Sequence, residues 1–216
     1  MRVLDFDPEA HAYFLDGVRV GRSVTGVLKR AGLLNFDRVP AATLERARLR
    51  GQIVHQALHY LNEGDLDLAA FAADYPLYMG YIEAWRFFVA ARDFRPLLCE
   101  RRVCDPDRDV AGTIDCLGTL DGRAVLLDFA TGDPADAAKD LQTAGYVALA
   151  AAWRDNDPAI DAFLTRWGMP LRYAVALRSD GTFSIEGYRD PKDTRAFFAL
   201  VDAQRITEAR RKPRTE

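Results

Sequence analysis

The sequence predicts one α/β domain of the α+β type over residues 1–216, with a central mixed sheet and flanking helices. The chain has 216 residues, 49% of them hydrophobic, which suffices for one large core and is short for two. Hydrophobic residues follow a helical period through much of the first 95 residues and a period of two from Leu97 to Ala130. A long helix, a hairpin and a final helix are predicted after that point.

The N-terminal region, residues 1–95, begins with a predicted hairpin in HAYFLDGVRV, where two alternating runs flank an Asp-Gly turn. Three helices follow. The first lies in SVTGVLKRAG between a Ser23 cap and Gly32, and the second spans PAATLERARLRGQIVHQALHYLNEG. The third lies in GYIEAWRFFVAARD, where aromatic residues recur at helical spacing and are expected to lie mostly in the core.

Residues 96–155 are predicted to contain three consecutive strands, LLCERRV, VAGTIDCL and AVLLDFA, and then a helix. Asp133 supplies the cap of that helix and Pro134 its first position. In residues 170–216, LRYAVALRSDGTFSIEGY predicts a closing hairpin, and an amphipathic helix follows Pro191. The interior break at residues 155–158 is too short for a domain linker.

Composition excludes a membrane-spanning protein and a disulfide scaffold. No apolar run approaches the roughly 20 residues that span a bilayer, and the first residues lack a hydrophobic signal core. We therefore expect a cytoplasmic protein with no membrane partner. The spacing of Cys99, Cys104 and Cys116 fits neither a disulfide framework nor a metal knuckle, so we expect reduced, buried thiols.

The formal charge of the chain is −3, but the region between residues 19 and 50 is basic. This region contains eight basic side chains and two acidic ones. The segment RRKPR adds a second basic cluster near the end of the sequence. Such clusters are often no more than solvated faces, so they favour a nucleic-acid partner only modestly.

Three acidic residues fall on the three predicted core strands. If the last two strands are adjacent and antiparallel, Asp115 and Asp128 lie side by side at the strand ends, and Glu100 on the preceding strand adds a third acid. Close carboxylates repel one another, and Mg²⁺ with its oxygen ligands relieves that repulsion. The alternative is that these acids are strand-end caps or ion-pair partners of neighbouring arginines (Arg101, Arg102 and Arg123).

Residues of two predicted helices are expected to lie near the three acidic residues. His55 lies away from the charged stripe of its helix, and Gly51 is expected to let that helix approach another backbone closely. Gln142 and Tyr146 are four residues apart on one helix face and present an amide and a phenol together. The alternative for each of these residues, as for His59, is ordinary packing.

The sequence resembles the RecB-like nucleases of the PD-(D/E)XK superfamily, in particular phage-type exonucleases. The resemblance is carried by motifs in the order SVTGVL, RGQIVHQAL, CERRV, AGTIDCLG, LLDFATG and LQTAGY. The resemblance implies a restriction-endonuclease-like core over residues 96–155. It implies that His55, Asp115 and Asp128 bind one or two Mg²⁺ or Mn²⁺ ions and that Glu100 is the acid of the first core motif. It also implies that Gln142 and Tyr146 help to hold DNA.

Some relatives carry an iron–sulfur cluster with cysteines near the C-terminus. No cysteine follows Cys116, so we expect no cluster here. The resemblance further implies a protein of a bacterial host or a phage with a place in DNA repair or recombination.

Ala130 departs from the family pattern, which has a catalytic lysine at that position, two residues after Asp128. A methyl group cannot orient a water molecule or neutralise a phosphate, so we expect this chain to be impaired in catalysis. Three explanations are open: a deliberate Lys-to-Ala substitution, which we favour, a natural non-cutting relative, or migration of the basic role to another residue. Only Lys139 on the following helix could take that role.

The predicted function is metal-dependent hydrolysis of DNA, by an exonuclease acting on single strands or free ends. The basic region, including Arg48 and Arg50, is predicted to bind phosphates, and Tyr81 and Trp85 to stack on bases. The alternatives are a non-cutting DNA-binding module on the same fold and a zinc hydrolase built on His55 and His59. The last lacks the glutamate of an HExxH motif.

Overall fold

The computed structural model describes residues 1–34, 39–132 and 138–211, and shows a mixed α/β architecture. A small antiparallel sheet comes first, formed by β1 (Leu4–Asp7), β2 (Ala12–Leu15) and β3 (Val18–Arg19). The β2–β3 hairpin is the predicted one, and β1 was not predicted. β1 pairs with β2 along its whole length, so the hairpin is widened to a three-stranded sheet.

Four helices follow in the first half of the chain: α1 (Val24–Arg30), α2 (Ala41–Glu63), α3 (Leu68–Asp74) and α4 (Met79–Ala91). The predicted ends are confirmed for α1 and α2. The Ser23 side chain accepts a hydrogen bond from the Gly26 amide at 3.1 Å, and Gly64 ends α2 in the left-handed conformation with φ of +81°. The short helix α3 was not predicted.

The main sheet has six strands: β4 (Arg22–Ser23), β5 (Arg95–Asp105), β6 (Val110–Leu120), β7 (Arg123–Ala130), β8 (Leu171–Leu177) and β9 (Phe183–Tyr188). The strands β5, β6 and β7 are antiparallel neighbours, as predicted, and β8–β9 is the predicted closing hairpin. β8 lies parallel to β7, which makes the sheet mixed.

The second edge of β6 is shared by two strands. β5 pairs with one edge of β6 between residues 110 and 119. Both β7 and β4 therefore pair with the opposite edge of β6. β7 covers residues 116–120 of that edge and β4 covers residues 110–111. The edge is therefore open between them at residues 112–115, and this gap positions the candidate site.

Helices cover both faces of the sheet. They include α5 (Lys139–Trp153), α6 (Pro158–Trp167) and α7 (Lys192–Arg211). The predicted start of α5 at Asp133 and Pro134 lies outside the described residues, and α6 was not predicted. One hydrophobic core contains residues of α1, α5, α6 and α7 and the other contains residues of α2, α3 and α4.

The structure also bears on the predicted base-stacking residues, the cysteines and the membrane prediction. Tyr81 and Trp85 are 7% and 1% exposed within the second core, so the prediction that they stack on bases is wrong. All three cysteines are free thiols, as predicted, with Cys104 and Cys116 buried and Cys99 half-buried. Across the described parts of the chain, every helix is too short or too polar to cross a bilayer.

Candidate metal centre and cleft

The two core aspartates lie where β6 and β7 separate. The last ladder pair joins Cys116 to Leu127, so Asp115 and Asp128 are the next residues on the two strands, as the sequence predicted. Asp115 Oδ2 accepts a hydrogen bond from the backbone amide of Phe129 at 2.6 Å. This side-chain contact holds the two strands together beyond the end of the regular ladder.

Asp115 is also part of a cluster with His55 and Glu100, in which one ligand atom from each residue lies within 4.8 Å of the others. His55 Nδ1 lies 3.5 Å from Asp115 Oδ1. An imidazole and two carboxylates are a donor set that Mg²⁺ or Mn²⁺ accepts. These three residues fit a divalent ion. The resemblance implied His55, Asp115 and Asp128 as the ligands, and the strand pattern predicted Glu100 as a third acid beside the two aspartates.

Glu100 enters this cluster through an unusual backbone conformation. Its φ is +51°, in the left-handed region that costs a residue other than glycine about 1–2 kcal/mol. The regular pairing of β5 with β6 skips the Glu100–Asp115 step while continuing on both sides of it. A strained residue within an ordered strand is typical of functional sites, because the surrounding structure must enforce it.

Charges within the cluster shift two pKa values upward. Burial raises the pKa of Glu100 to about 7, and repulsion from Asp115 adds to the shift. Burial alone would lower the pKa of His55, but attraction to Asp115, Glu100 and Asp128 outweighs it and raises the pKa to about 9. His55 is therefore a cation in the metal-free protein at neutral pH, and a metal ion must displace its proton.

Asp128 lies next to this cluster and is paired with a lysine. It is 3% exposed, and its carboxylate accepts a hydrogen bond from Lys139 Nζ, on the first residue of α5. Ala130 lies two residues further along β7, half-buried, and pairs with Ala176 of β8. The structure thus places a cation beside Asp128 despite Ala130.

Gln142 and Tyr146 are brought together as their spacing predicts. Gln142 Nε2 donates a hydrogen bond to the Tyr146 hydroxyl at 3.2 Å, and both side chains are buried. Tyr146 packs tightly on Gly112, where an added Cβ would come within 2.7 Å of the tyrosine ring. Tyr146 lines the cleft described below, whereas Gln142 does not.

A cleft of about 560 Å³ opens onto the cluster. One wall is the small sheet β1–β3, with Phe6, His11 and Tyr13, and the other is α2, with His59 and Tyr60. The Tyr13 hydroxyl lies 2.9 Å from Thr113 Oγ1, which attaches the small sheet to the open edge of β6. Sequence reasoning missed these aromatic side chains, because only the folded structure brings the N-terminal hairpin to α2.

The remaining predicted residues lie outside the cluster. Arg48 is paired with Glu45, and Arg50 Nε donates to Thr131 Oγ1 at 3.2 Å, which links α2 to the end of β7. Neither arginine lines the cleft. A Cβ at Gly51 would meet nothing within 4 Å, so the expected close backbone approach there is wrong.

Two alternatives lose support from these contacts. His59 lines the cleft but does not join the ligand cluster of His55 among the described residues, and its Nε2 lies 3.7 Å from Glu63 instead. That arrangement gives the zinc hydrolase no second histidine ligand. Ion pairs between the three acids and their neighbouring arginines are likewise absent from the described parts of the chain, and Arg101 pairs with Asp157. The alternative of strand-end caps keeps its support at Asp115, which accepts the Phe129 amide where the ladder ends.

Comparison with known proteins does not assign a family. No model of a known protein family matches this chain, and no curated protein matches it. The nuclease interpretation therefore depends on the residues and their geometry.

If the cluster binds a divalent ion, its affinity should rise by up to about tenfold per pH unit between pH 7 and 9, because the ion would displace the proton of His55. The metal-free protein should show the opposite trend. A protonated His55 stabilises the fold fully below its unfolded pKa of about 6.5, and this contribution is lost as pH rises through its folded pKa of about 9. Glu100 contributes in the same direction at lower pH, since its pKa is also raised.

Thermal melts with and without Mg²⁺ over this pH range test the prediction. The Tm without metal should fall, and the Mg²⁺-induced increase in Tm should grow. In His55→Gln, which has no proton to lose, both trends should flatten. An Mg²⁺ response in the original chain that does not change between pH 7 and 9 would contradict the assignment of His55 as a ligand.

Proposed function

We propose that this protein is a metal-dependent nuclease that hydrolyses phosphodiester bonds of DNA. The observation that supports this function best is the cluster of His55, Glu100 and Asp115, whose side chains line a cleft. The Asp128–Lys139 pair lies next to this cluster. The donor set suits Mg²⁺ or Mn²⁺, and a neighbouring lysine is what phosphoryl chemistry adds to such a site.

His55, Glu100 and Asp115 would hold the metal ion. Asp128 interacts electrostatically with His55 and Asp115 from β7 and would contribute to the same site or a second one. A bound divalent ion lowers the pKa of a coordinated water and stabilises negative charge on a phosphate. The metal ligands are preorganised in the folded protein. The backbone conformation of Glu100 positions its carboxylate, and the hydrogen bond from the Phe129 amide positions that of Asp115.

Lys139 would act beside the scissile phosphate. Its ammonium group is held by the buried Asp128 carboxylate, and its side chain is 16% exposed. A compact cation at this position neutralises phosphate charge and orients or deprotonates a water molecule. We infer that Lys139 takes the role for which Ala130 has no functional group.

The cleft suits an unpaired strand or a free DNA end. Its walls carry the aromatic rings of Phe6, Tyr13 and Tyr60 together with the imidazoles of His11 and His59. Aromatic faces bind unstacked bases of any sequence. An exonuclease acting on single-stranded ends is the form of nuclease that this lining favours.

The direct test is degradation of end-labelled DNA, single-stranded and duplex, with Mn²⁺, with Mg²⁺ and with EDTA. We expect cleavage with either metal and none with EDTA. A Glu100→Gln preparation, purified in the same way, controls for contaminating nucleases and should be inactive. Metal-independent cleavage, or equal cleavage by both preparations, would refute the proposal.

The second candidate is a module of the same fold that binds DNA without cutting it, and the alanine at position 130 favours it. This module would bind DNA ends in the presence of metal and leave them intact. Binding without turnover, in both the original chain and Ala130→Lys, would identify it.

DNA binding in either case is expected to weaken steeply with salt, as contacts to phosphates require. Arg19 and Arg46 belong to the basic region and form no ion pair within the described residues. Arg19→Gln with Arg46→Gln should therefore reduce affinity and lower the salt dependence, whereas Arg166→Gln, outside the region, should change neither. Fluorescence anisotropy over a salt series measures both quantities, and salt-independent binding would place the DNA elsewhere.

A further inference from the structure

Two cysteines lie directly opposite each other on β5 and β6, next to the proposed metal ligands. Cys99 pairs with Cys116 in the strand register, and their Sγ atoms are 3.3 Å apart. Directly opposed residues of an antiparallel pair have Cα atoms about 4.5–5.5 Å apart, within the span that a disulfide bridges. A bond of about 2.05 Å would need only a small closing movement of the sulfurs.

The two thiols differ in access. Cys116 is fully buried, whereas Cys99 is half-buried and its Sγ accepts a hydrogen bond from Asn62 Nδ2 at 3.5 Å. Asn62 is fixed in turn by the indole N–H of Trp85, which donates to Asn62 Oδ1 at 2.9 Å. Cys99 is thus an oriented and reachable thiol with a second thiol directly behind it. Cys104 is buried and has no neighbouring sulfur among the described contacts.

We propose that Cys99 and Cys116 form a reversible disulfide on exposure to a hydroperoxide, and that this cross-link weakens divalent-metal binding at Glu100 and Asp115. Cys99 Sγ first takes an oxygen atom from the peroxide, which gives a sulfenic acid and, with hydrogen peroxide, one water. Cys116 Sγ then attacks that sulfur and a second water leaves. Two thiols are oxidised to one disulfide, and one peroxide is reduced to two waters.

The effect on metal binding follows from the strand geometry. Cys99 immediately precedes Glu100 and Cys116 immediately follows Asp115, and both pairs lie against α2, where Asn62 contacts Cys99 and His55 contacts Asp115. Drawing the sulfurs together therefore shifts the backbone directly next to both carboxylates and changes their spacing around the proposed ion. Glu100 is especially sensitive, because its backbone is already in a strained conformation. This second half of the inference rests on the proposed metal site, whereas disulfide formation does not.

Intact-mass analysis of the reduced protein, before and after hydrogen peroxide and alkylation under denaturing conditions, tests the disulfide. The accessible thiols should fall from three to one, and peptide mapping should join Cys99 to Cys116. A thiol reductant should restore all three. Cys104→Ala should form the same bond, and Cys99→Ala should keep both remaining thiols. Oxidation of Cys99 to sulfinic acid with Cys116 still free, or any link to Cys104, would overturn the proposal.

Thermal melts over a range of Mn²⁺ concentrations test the coupling. Oxidation should raise by about tenfold the Mn²⁺ concentration that is needed for a given increase in Tm, with no such change in Cys99→Ala. Equal responses of the disulfide and dithiol forms would overturn the coupling. A reduced protein with no Mn²⁺ response would count against the metal site itself, while the mass data would still decide the disulfide.

Discussion

Alanine in place of Lys139 is expected to lower metal-dependent DNA cleavage by about 10²- to 10⁴-fold, the range in which a positioned proton-transfer group contributes. Lys139 Nζ is held by the carboxylate of Asp128, at the point where β6 and β7 separate. The metal donors of the cluster are untouched by the substitution. Single-turnover cleavage rates should therefore fall, while the Mn²⁺-induced increase in Tm persists.

Removing one partner of a buried ion pair also destabilises a protein, because the remaining charge is uncompensated. Lys139→Gln avoids most of this problem, since its amide can still donate a hydrogen bond to Asp128. We expect it to fold with a Tm closer to that of the original chain and to cleave as poorly as Lys139→Ala. Lys192→Ala, at the exposed start of α7, is the matched control and should cleave normally.

A lysine at position 130 should restore activity to the Lys139→Ala protein. Residue 130 shares a strand face with Asp128, so the new ammonium group lies within reach of the same phosphate. We expect the double variant to cleave at least about tenfold faster than Lys139→Ala alone. If Lys139→Gln cleaves at the original rate, Lys139 has no catalytic part. If the original chain is inert and Ala130→Lys alone cleaves DNA, the chain is the inactive form that Ala130 first indicated.

Elements with strong local signals could be predicted from the sequence. The alternation in β6 and β7 and their Asp-Gly turn fix a register that brings Asp115 opposite Asp128. Capping residues placed the ends of α1 and α2. The missed elements are short or atypical, since β1 has four residues and α3 has seven. The start of α6 did carry a signal, in an Asp157 cap followed by proline, which the sequence interpretation treated as a loop.

The parts of the site that could not be predicted depend on tertiary structure. No local sequence pattern predicts that Glu100 adopts a left-handed backbone conformation inside a strand. This conformation places its carboxylate beside His55 and Asp115. The contact of Lys139 with Asp128 depends on the direction in which α5 crosses the sheet, which the sequence leaves open. Tyr81 and Trp85 are different, because aromatic residues at helical spacing do indicate a core face and both are buried in it; assigning them to base stacking went against their own pattern.

Substitution of Asp115 by asparagine is expected to abolish both the metal response and DNA cleavage. Asp115 belongs to the donor cluster, in which it contacts His55. It also accepts a hydrogen bond from the Phe129 amide and so links the cluster to β7. Asparagine keeps the size and one acceptor oxygen, so the hydrogen bond to Phe129 can persist and the fold should be retained. The lost charge removes one of the two carboxylates that a divalent ion needs in this cluster.

The Mn²⁺ response that Asp115→Asn should lose is large enough to measure as a shift in Tm. A ligand at one hundred times its Kd stabilises the native state by about 2.7 kcal/mol, which for a chain of this length raises Tm by about 5–10 °C. The original chain should show this increase with Mn²⁺, Asp115→Asn should show none, and Asp202→Asn, on the exposed side of α7, should match the original. Asp115→Asn should also lack cleavage in the assay with labelled DNA. An unchanged Mn²⁺ response in Asp115→Asn would exclude this cluster as the metal site, and with it the observation on which the nuclease proposal depends.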